Sequence, residues 1–206
     1  IAWQSLGTSL ISGATLQPQA NRVRGLEFIQ KYIDETGDPL GTTKLMLARI
    51  YIDGIFLERD TGLGERLLTE ASQNGSKTAK RTLGLQLLDG DDQNNDRIRG
   101  RELLNAAAEA GDSKAMYELA KRLLEGKNTD NDEIEGERLL IAALHAGNGK
   151  AMEFSALRQW KDATSAEDRN AARDMMMRAV IETGDIMTFD TLCEWANSED
   201  DNDIIP

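Results

Sequence analysis

Apolar and small residues recur along this chain at offsets of four, five, eight and nine from a small starting residue. That spacing lines one face of an α-helix. Ala79, Leu83, Gly84, Leu87 and Leu88 give the full set. The same frame gives Ala2 with Leu6–Gly7, Thr43 with Leu47–Ala48, Ala115 with Leu119–Ala120 and Ala151 with Ser155–Ala156. A second pattern follows each of these, a small residue and then an apolar pair. It reads GLEFI at 25–29, GERLL at 64–68, GRELL at 100–104, GERLL at 136–140 and ARDMM at 172–176. Each unit is therefore predicted to be two helices. In the second helix from about Arg99 to Ala110, Leu103, Leu104, Ala107 and Ala108 face inward.

Glycines set the ruler. Gly37, Gly75, Gly111, Gly147 and Gly184 are 38, 36, 36 and 37 residues apart. Gly54, Gly90 and Gly126 are spaced by 36, as are Gly64, Gly100 and Gly136, a series that Ala172 continues. Three series sharing one period mark a repeat architecture. The first series is placed to end second helices in left-handed caps, and Gly90 to end a first helix. Gly84 and Gly100 lie mid-helix, where each costs about 1 kcal/mol relative to alanine. Ala48, Ala120, Ala156 and Ala172 fill the matching positions elsewhere, so close helix–helix approach is the expected reason. The predicted fold is an all-α solenoid of antiparallel helix pairs with a period near 36 residues. The array covers 1–197, in units of about 1–38, 39–75, 76–111, 112–147 and 148–184, and a final helix over 185–197. That last copy, Thr188 with Leu192–Cys193, has no second half. Its incompleteness, and Ile1 in place of an initiator Met, lead to the expectation of a cut end and a longer chain. The acidic tail SEDDNDIIP, 198–206, is expected to be disordered.

The combined pattern, A-x-x-x-L-G/A-x-x-Φ-x-x-G, then G/A-x-x-Φ-Φ-x-x-A and a terminal G, resembles the Sel1-like repeat, a branch of the tetratricopeptide superfamily. The resemblance covers about residues 1–196 and is strongest over 76–148, where AGDSKAMYELAKRLLEG at 110–126 reads almost as a consensus. It implies a right-handed superhelix with first helices lining a concave face and second helices outside. It also implies a binding or scaffolding role, often in the assembly of secreted or envelope machinery. The family's frequent aromatic slot in the second helix holds Leu67, Leu103, Leu139 and Met175 here, which argues against an aromatic-lined groove. The first unit is stretched, with Pro18 and Pro39 expected in loops. Asp162 replaces the loop glycine of earlier units, so a different turn is expected there.

Charge narrows the function. The chain has 206 residues, with 24 Lys plus Arg against 36 Asp plus Glu, a net charge of −12. A general nucleic-acid binder is normally basic, so that class is set aside. No apolar run is long enough for a membrane-spanning helix. One cysteine excludes an intramolecular disulfide, and with a single histidine it argues against structural zinc. No cofactor is expected.

Helix positions −1, 2 and 6 from the small starting residue point away from the buried set. They are Thr42, Leu45 and Arg49; Thr78, Arg81 and Leu85; Lys114, Tyr117 and Lys121; and Lys150, Glu153 and Leu157. Five are basic and one is acidic, a local reversal in an acidic chain. The expected partner-binding residues on the concave face are Arg49, Arg81, Lys114, Tyr117, Lys121, Lys150 and Glu153. The expected partner is another protein or peptide segment, with acidic character suggested by the basic residues. An ordinary solvated helix face is the competing reading.

Other features carry less. Asp89, Asp91, Asp92 and Asp96, and one period later Asn128, Asp130, Asp132 and Glu133, offer oxygens to a cation. They lack the glycine and distal glutamate of an EF-hand, so no metal site is assigned. His145 is placed to favour a helix C-terminus. Cys193 is expected as a buried small residue. Met175, Met176 and Met177 are expected to fill core, and Trp160 and Trp195 to cap the stack or meet another protein. No nucleophile–base pair is recognisable. The sequence therefore points to a non-catalytic protein-interaction scaffold. An envelope-assembly scaffold using repeat ends or the convex face is the second reading, and an enzyme resting on His145 a remote third. A periplasmic or secreted setting is favoured slightly by the resemblance, and the cytoplasm is compatible.

Overall fold

A computed structural model describes residues 7, 9, 18–54, 56–89, 94–126 and 130–200, with the side chains of 18–20, 94–96, 130–131 and 197–200 left aside. Ten helices and no strand occur among the described residues. They are α1 (Pro18–Thr36), α2 (Thr42–Asp53), α3 (Thr61–Gln73), α4 (Lys77–Asp89) and α5 (Asn94–Glu109), followed by α6 (Ser113–Glu125), α7 (Asp130–His145), α8 (Gly149–Asp162), α9 (Ala166–Thr183) and α10 (Ile186–Asp200). Two compact units divide the chain, Ile1–Asp112 and Ser113–Pro206. The first holds α1 and the pairs α2/α3 and α4/α5. The second holds the pairs α6/α7 and α8/α9, and then α10.

Small residues let the paired helices touch. A Cβ built on Gly84 would lie 2.8 Å from the Gly100 carbonyl oxygen, and one on Gly100 would lie 2.8 Å from the Gly84 oxygen. A Cβ on Gly64 would lie 3.0 Å from the Ala48 carbonyl oxygen, and one on Gly7 2.7 Å from that of Gly25. The apolar stripes flanking these crossings are buried, with Leu68 and Leu104 both fully inaccessible. Each such leucine contributes about 1.5–3 kcal/mol through burial.

The helix ends explain the glycine period. Gly75, Gly111 and Gly147 have φ of 93°, 80° and 72°, and Gly37 and Gly184 have φ of 70° and 62°. After α5, Gly111 N–H donates to Ala108 O and Asp112 N–H to Ala107 O, a Schellman closure. The same pair of bonds follows α3 and α7. The next residue then starts the following helix. Asn148 Oδ1 accepts from Ala151 N at 3.0 Å, and the Asp38 carboxylate accepts from Thr43 N and Lys44 N at 3.2 and 2.9 Å. These bonds satisfy helix N–H groups that lack intrahelical partners.

Four expectations need correction. Pro18 is the first residue of α1 and not part of a loop, because its fixed φ suits that position and its missing N–H is not needed there. The last helix continues to Asp200, past 197, since SED contains neither proline nor glycine to stop it. Cys193 is half-buried and not fully enclosed. Met177 is 47% exposed while Met176 is fully buried, so only part of the methionine run fills core. At Asp162 the turn does differ. Ala163 caps α8 with φ −65° and ψ 123°, extended where Gly54 after α2 is left-handed. Residues 90–93, 127–129 and 201–206 lie outside the described residues, and with them Gly90, Asp91, Asp92, Asn128 and most of the acidic tail. Ala2 and Leu6 of the first helix pattern fall outside as well.

Candidate functional site

The outward positions of the first helices are all exposed or half-buried, as their spacing requires. In the first unit, Arg49 on α2 is exposed and makes no ion pair or hydrogen bond among the described residues. Arg81 on α4 differs. Its Nε donates to Asp112 Oδ2 at 3.2 Å, and the side chains of Arg81 and Asp112 are only 16% and 8% exposed. Asp112 is the residue that follows the Gly111 cap. The arginine therefore ties α4 to the residue that follows the cap of α5.

The second unit brings several of the expected residues together. On α6, Lys114 is exposed, and Tyr117 and Lys121 are half-buried. The Tyr117 ring meets Phe154 of α8 edge to face, with centroids 6.2 Å apart and planes at 73°. That geometry suits the aromatic quadrupole. Burial, and then the charges of Glu118 and Glu153, push the Tyr117 hydroxyl above its ordinary pKa. Lys121 makes no ion pair or hydrogen bond among the described residues. Lys150 Nζ donates to Asp185 Oδ2 and Glu153 Oε2, each at 2.8 Å. The bond to Asp185, and then that to Glu153, push Lys150 up to about 12. The basic excess of this face is thus partly spent inside the protein. Asp112 and Asp185, each just after a capping glycine, hold Arg81 and Lys150.

Two residues absent from the sequence expectation border this face. Phe154 lies one period after Tyr117, a spacing that was available to read. The Arg158 guanidinium sits 5.9 Å from the Phe154 ring centre and pairs with Glu137 of α7 at 2.6 Å. Beside that ion pair, α7, α8 and α9 enclose an open cleft of about 420 Å³, lined by Leu140, Ser155, Gln159 and Asp162 among others.

His145 is the exposed last residue of α7. Among the described residues no group of three or more His, Cys, Asp or Glu side chains is arranged to hold a metal ion. No described helix is long and apolar enough to cross a membrane.

No protein-family model matches the sequence, and a search of curated proteins gives no match. Solved structures do match. A Sel1 repeat protein from Oxalobacter formigenes aligns with TM-score 0.72 at 17% identity, over 93% of this chain and 74% of that one. A protective antigen present in uropathogenic Escherichia coli strains, displaying an SLR fold, aligns with TM-score 0.67 at 20% identity, over 88% of this chain but 38% of its own. An immunity protein from Pseudomonas aeruginosa aligns with TM-score 0.57 at 17% identity, over 88% of this chain and 65% of its own. Those likenesses, the 36-residue glycine period and the small-on-small helix crossings agree: the chain has the Sel1-like repeat fold.

Proposed function

We propose that this protein is a non-catalytic interaction scaffold whose binding surface is the outward face of α6 and α8 in the second unit. The observation that carries the reading is the half-buried Tyr117–Phe154 pair, set edge to face on rigid helices with Lys114 and Lys121 beside it on α6. Aromatic side chains that are already packed lose little freedom on binding and expose a large apolar surface with a polar tip. Repeat folds commonly bind along such a face, an argument by analogy of fold. Lys121 supplies a cation to an acidic group of the partner, while Lys150 and Glu153 hold the rim in place through their ion pair. Arg49 and Arg81 belong to the first unit.

The test is affinity capture from native lysate, using the wild type beside a Tyr117→Ala/Lys121→Glu double variant of unchanged melting temperature. A protein held by the wild type and lost by the variant is the expected result. A partner held equally by both would place binding elsewhere.

A further inference from the structure

One first helix lacks the leucine that the others bury. Four residues after the small starting residue stand Leu47, Leu83, Leu119 and Leu192, between 3% and 8% exposed. On α8 that slot holds Ser155. The leucine packs against a large apolar residue of the preceding second helix. Leu83 shares a core cluster with Leu68 of α3, and Leu192 with Met176 of α9. The matching pair in α7 and α8 is Leu140 and Ser155, and both line the open cleft of about 420 Å³. A serine in the place of a leucine withdraws most of an apolar side chain from this packing, which accounts for the opening.

The space is polar where the leucine is missing. Ser155 is 8% exposed. Its Oγ meets only Gln159 Nε2, at 3.5 Å, and its hydroxyl donates to nothing among the described residues. A contact of that length is a marginal hydrogen bond, so a buried polar group is left short of a partner. Gln159 Nε2 has one further contact, Met175 Sδ at 4.0 Å, so its donors are underused as well. The walls carry Glu137, Asp162 and Asp168 against a single cation, Arg158, which Glu137 already holds at 2.6 Å. Asp162 is exposed and makes no ion pair or hydrogen bond among the described residues. Charge complementarity therefore selects a cation, and the leucine-sized gap selects one with an apolar stem. Sites for free small molecules bury roughly 70–90% of the ligand. A cleft this open suits a side chain presented by a larger partner.

We propose that the cleft takes a lysine or arginine side chain of a partner protein. Its methylene stem lies against Leu140 and Ser155, its charge meets Asp162, and a neighbouring main-chain carbonyl accepts from the Gln159 amide. The cleft uses none of the residues assigned to the α6/α8 face and does not depend on that reading.

The probe is the peptide acetyl-Gly-Gly-Lys-Gly-Gly-amide, titrated into the isotope-labelled full chain while amide chemical shifts are followed. It binds saturably in the millimolar range, and the shifts centre on Ser155, Gln159 and Asp162. Peptides with norleucine or glutamate in place of the lysine bind about tenfold more weakly or not at all. n-Butylamine has the stem and the charge without a main chain, and it binds about three- to tenfold more weakly. Ser155→Leu restores the missing side chain, raises the melting temperature by about 2–4 °C and removes peptide binding. Asp162→Asn weakens the peptide by about tenfold, and its exposed position keeps that variant folded whatever Ser155→Leu does. Tyr117→Ala and truncation after Asp200 leave binding unchanged. Absence of saturable binding, shifts centred elsewhere, or equal affinity for the norleucine peptide or for Ser155→Leu would overturn the proposal. n-Butylamine binding as tightly as the peptide would overturn it too, because the occupant would be a free amine. So would a gain in affinity on truncation, which would make the occupant the chain's own tail. A wild-type dimer that Ser155→Leu dissociates would make it a second copy, with the same consequence.

Discussion

The indole rings of Trp160 and Trp195 stack with centroids 4.2 Å apart and planes 2° from parallel. Trp160 lies in the last turn of α8 and Trp195 belongs to α10, so the stack fixes the last helix to the repeat before it. Trp195 is 7% exposed and joins Ala156, Ala172, Met176 and Leu192 in one core cluster. Replacing it by alanine removes both the stack and a buried aromatic volume. Trp195→Ala is expected to cost about 3–5 kcal/mol in denaturant unfolding, with Trp160→Ala costing less. Both variants lose the exciton-coupled circular dichroism of paired indoles. Persistence of that signal in either would contradict the stack.

Two helix glycines, one at a crossing and one in open space, make predictions of opposite sign. Gly84→Ala places a Cβ 2.8 Å from the Gly100 carbonyl and 3.0 Å from Leu104. The helices must separate, at about 1–3 kcal/mol, which exceeds the propensity gain of about 1 kcal/mol. Gly62→Ala, in α3, meets only the Asp60 carboxylate at 3.6 Å. It is expected to stabilise by a few tenths up to about 1 kcal/mol. Thermal unfolding of the two variants side by side checks the sign.

Thr43 and Thr188 occupy the slot that holds Ala79, Ala115 and Ala151 in other repeats. Both are buried, and their hydroxyls find no hydrogen-bond partner among the described residues. An orphaned buried hydroxyl costs about 1–3 kcal/mol. Thr43→Val keeps the branched shape and removes the polar atom, so it is expected to raise stability. A lowered unfolding midpoint would mean that the hydroxyl is satisfied in solution.

Lys150 and Asp185 give a pH signature. Lys150, and then the Met187 N–H, hold the Asp185 carboxyl below its usual range. That contribution is complete above about pH 4, the ordinary aspartate pKa, and disappears as pH falls through the lowered value. Asp185, and then Glu153, hold Lys150 up at about 12. This part is complete below about pH 10 and is lost as pH rises toward the raised value. The stability difference between wild type and Lys150→Met is expected to be flat from about pH 5 to 9 and to shrink at both extremes. A difference independent of pH would show that the pair does not form.

Much of this was legible in the sequence, and for identifiable reasons. Gly111 and Gly147 announce helix ends because a left-handed backbone strongly favours glycine. Gly84 and Gly100 announce the crossing because a repeated loss of helix propensity needs a contact to explain it. The fate of Arg81 and Lys150 was not legible. Spacing gives the face on which a side chain starts, but not the carboxylate to which a long flexible one turns. Asp112 and Asp185 follow the capping glycines, and they hold these cations. Phe154 lies 37 residues after Tyr117 but at offset 3 from Ala151, beside and not on the −1, 2 and 6 positions that define the face.

The most direct test of the binding account is site-specific photo-crosslinking in native lysate. A photoreactive side chain is placed at position 121, on the proposed face, and in a second sample at position 138, an exposed site on α7. The account predicts that a protein partner is crosslinked from position 121, not from 138, and that Tyr117→Ala abolishes the adduct. A partner crosslinked from 138 alone, or an adduct at 121 indifferent to Tyr117→Ala, would contradict it.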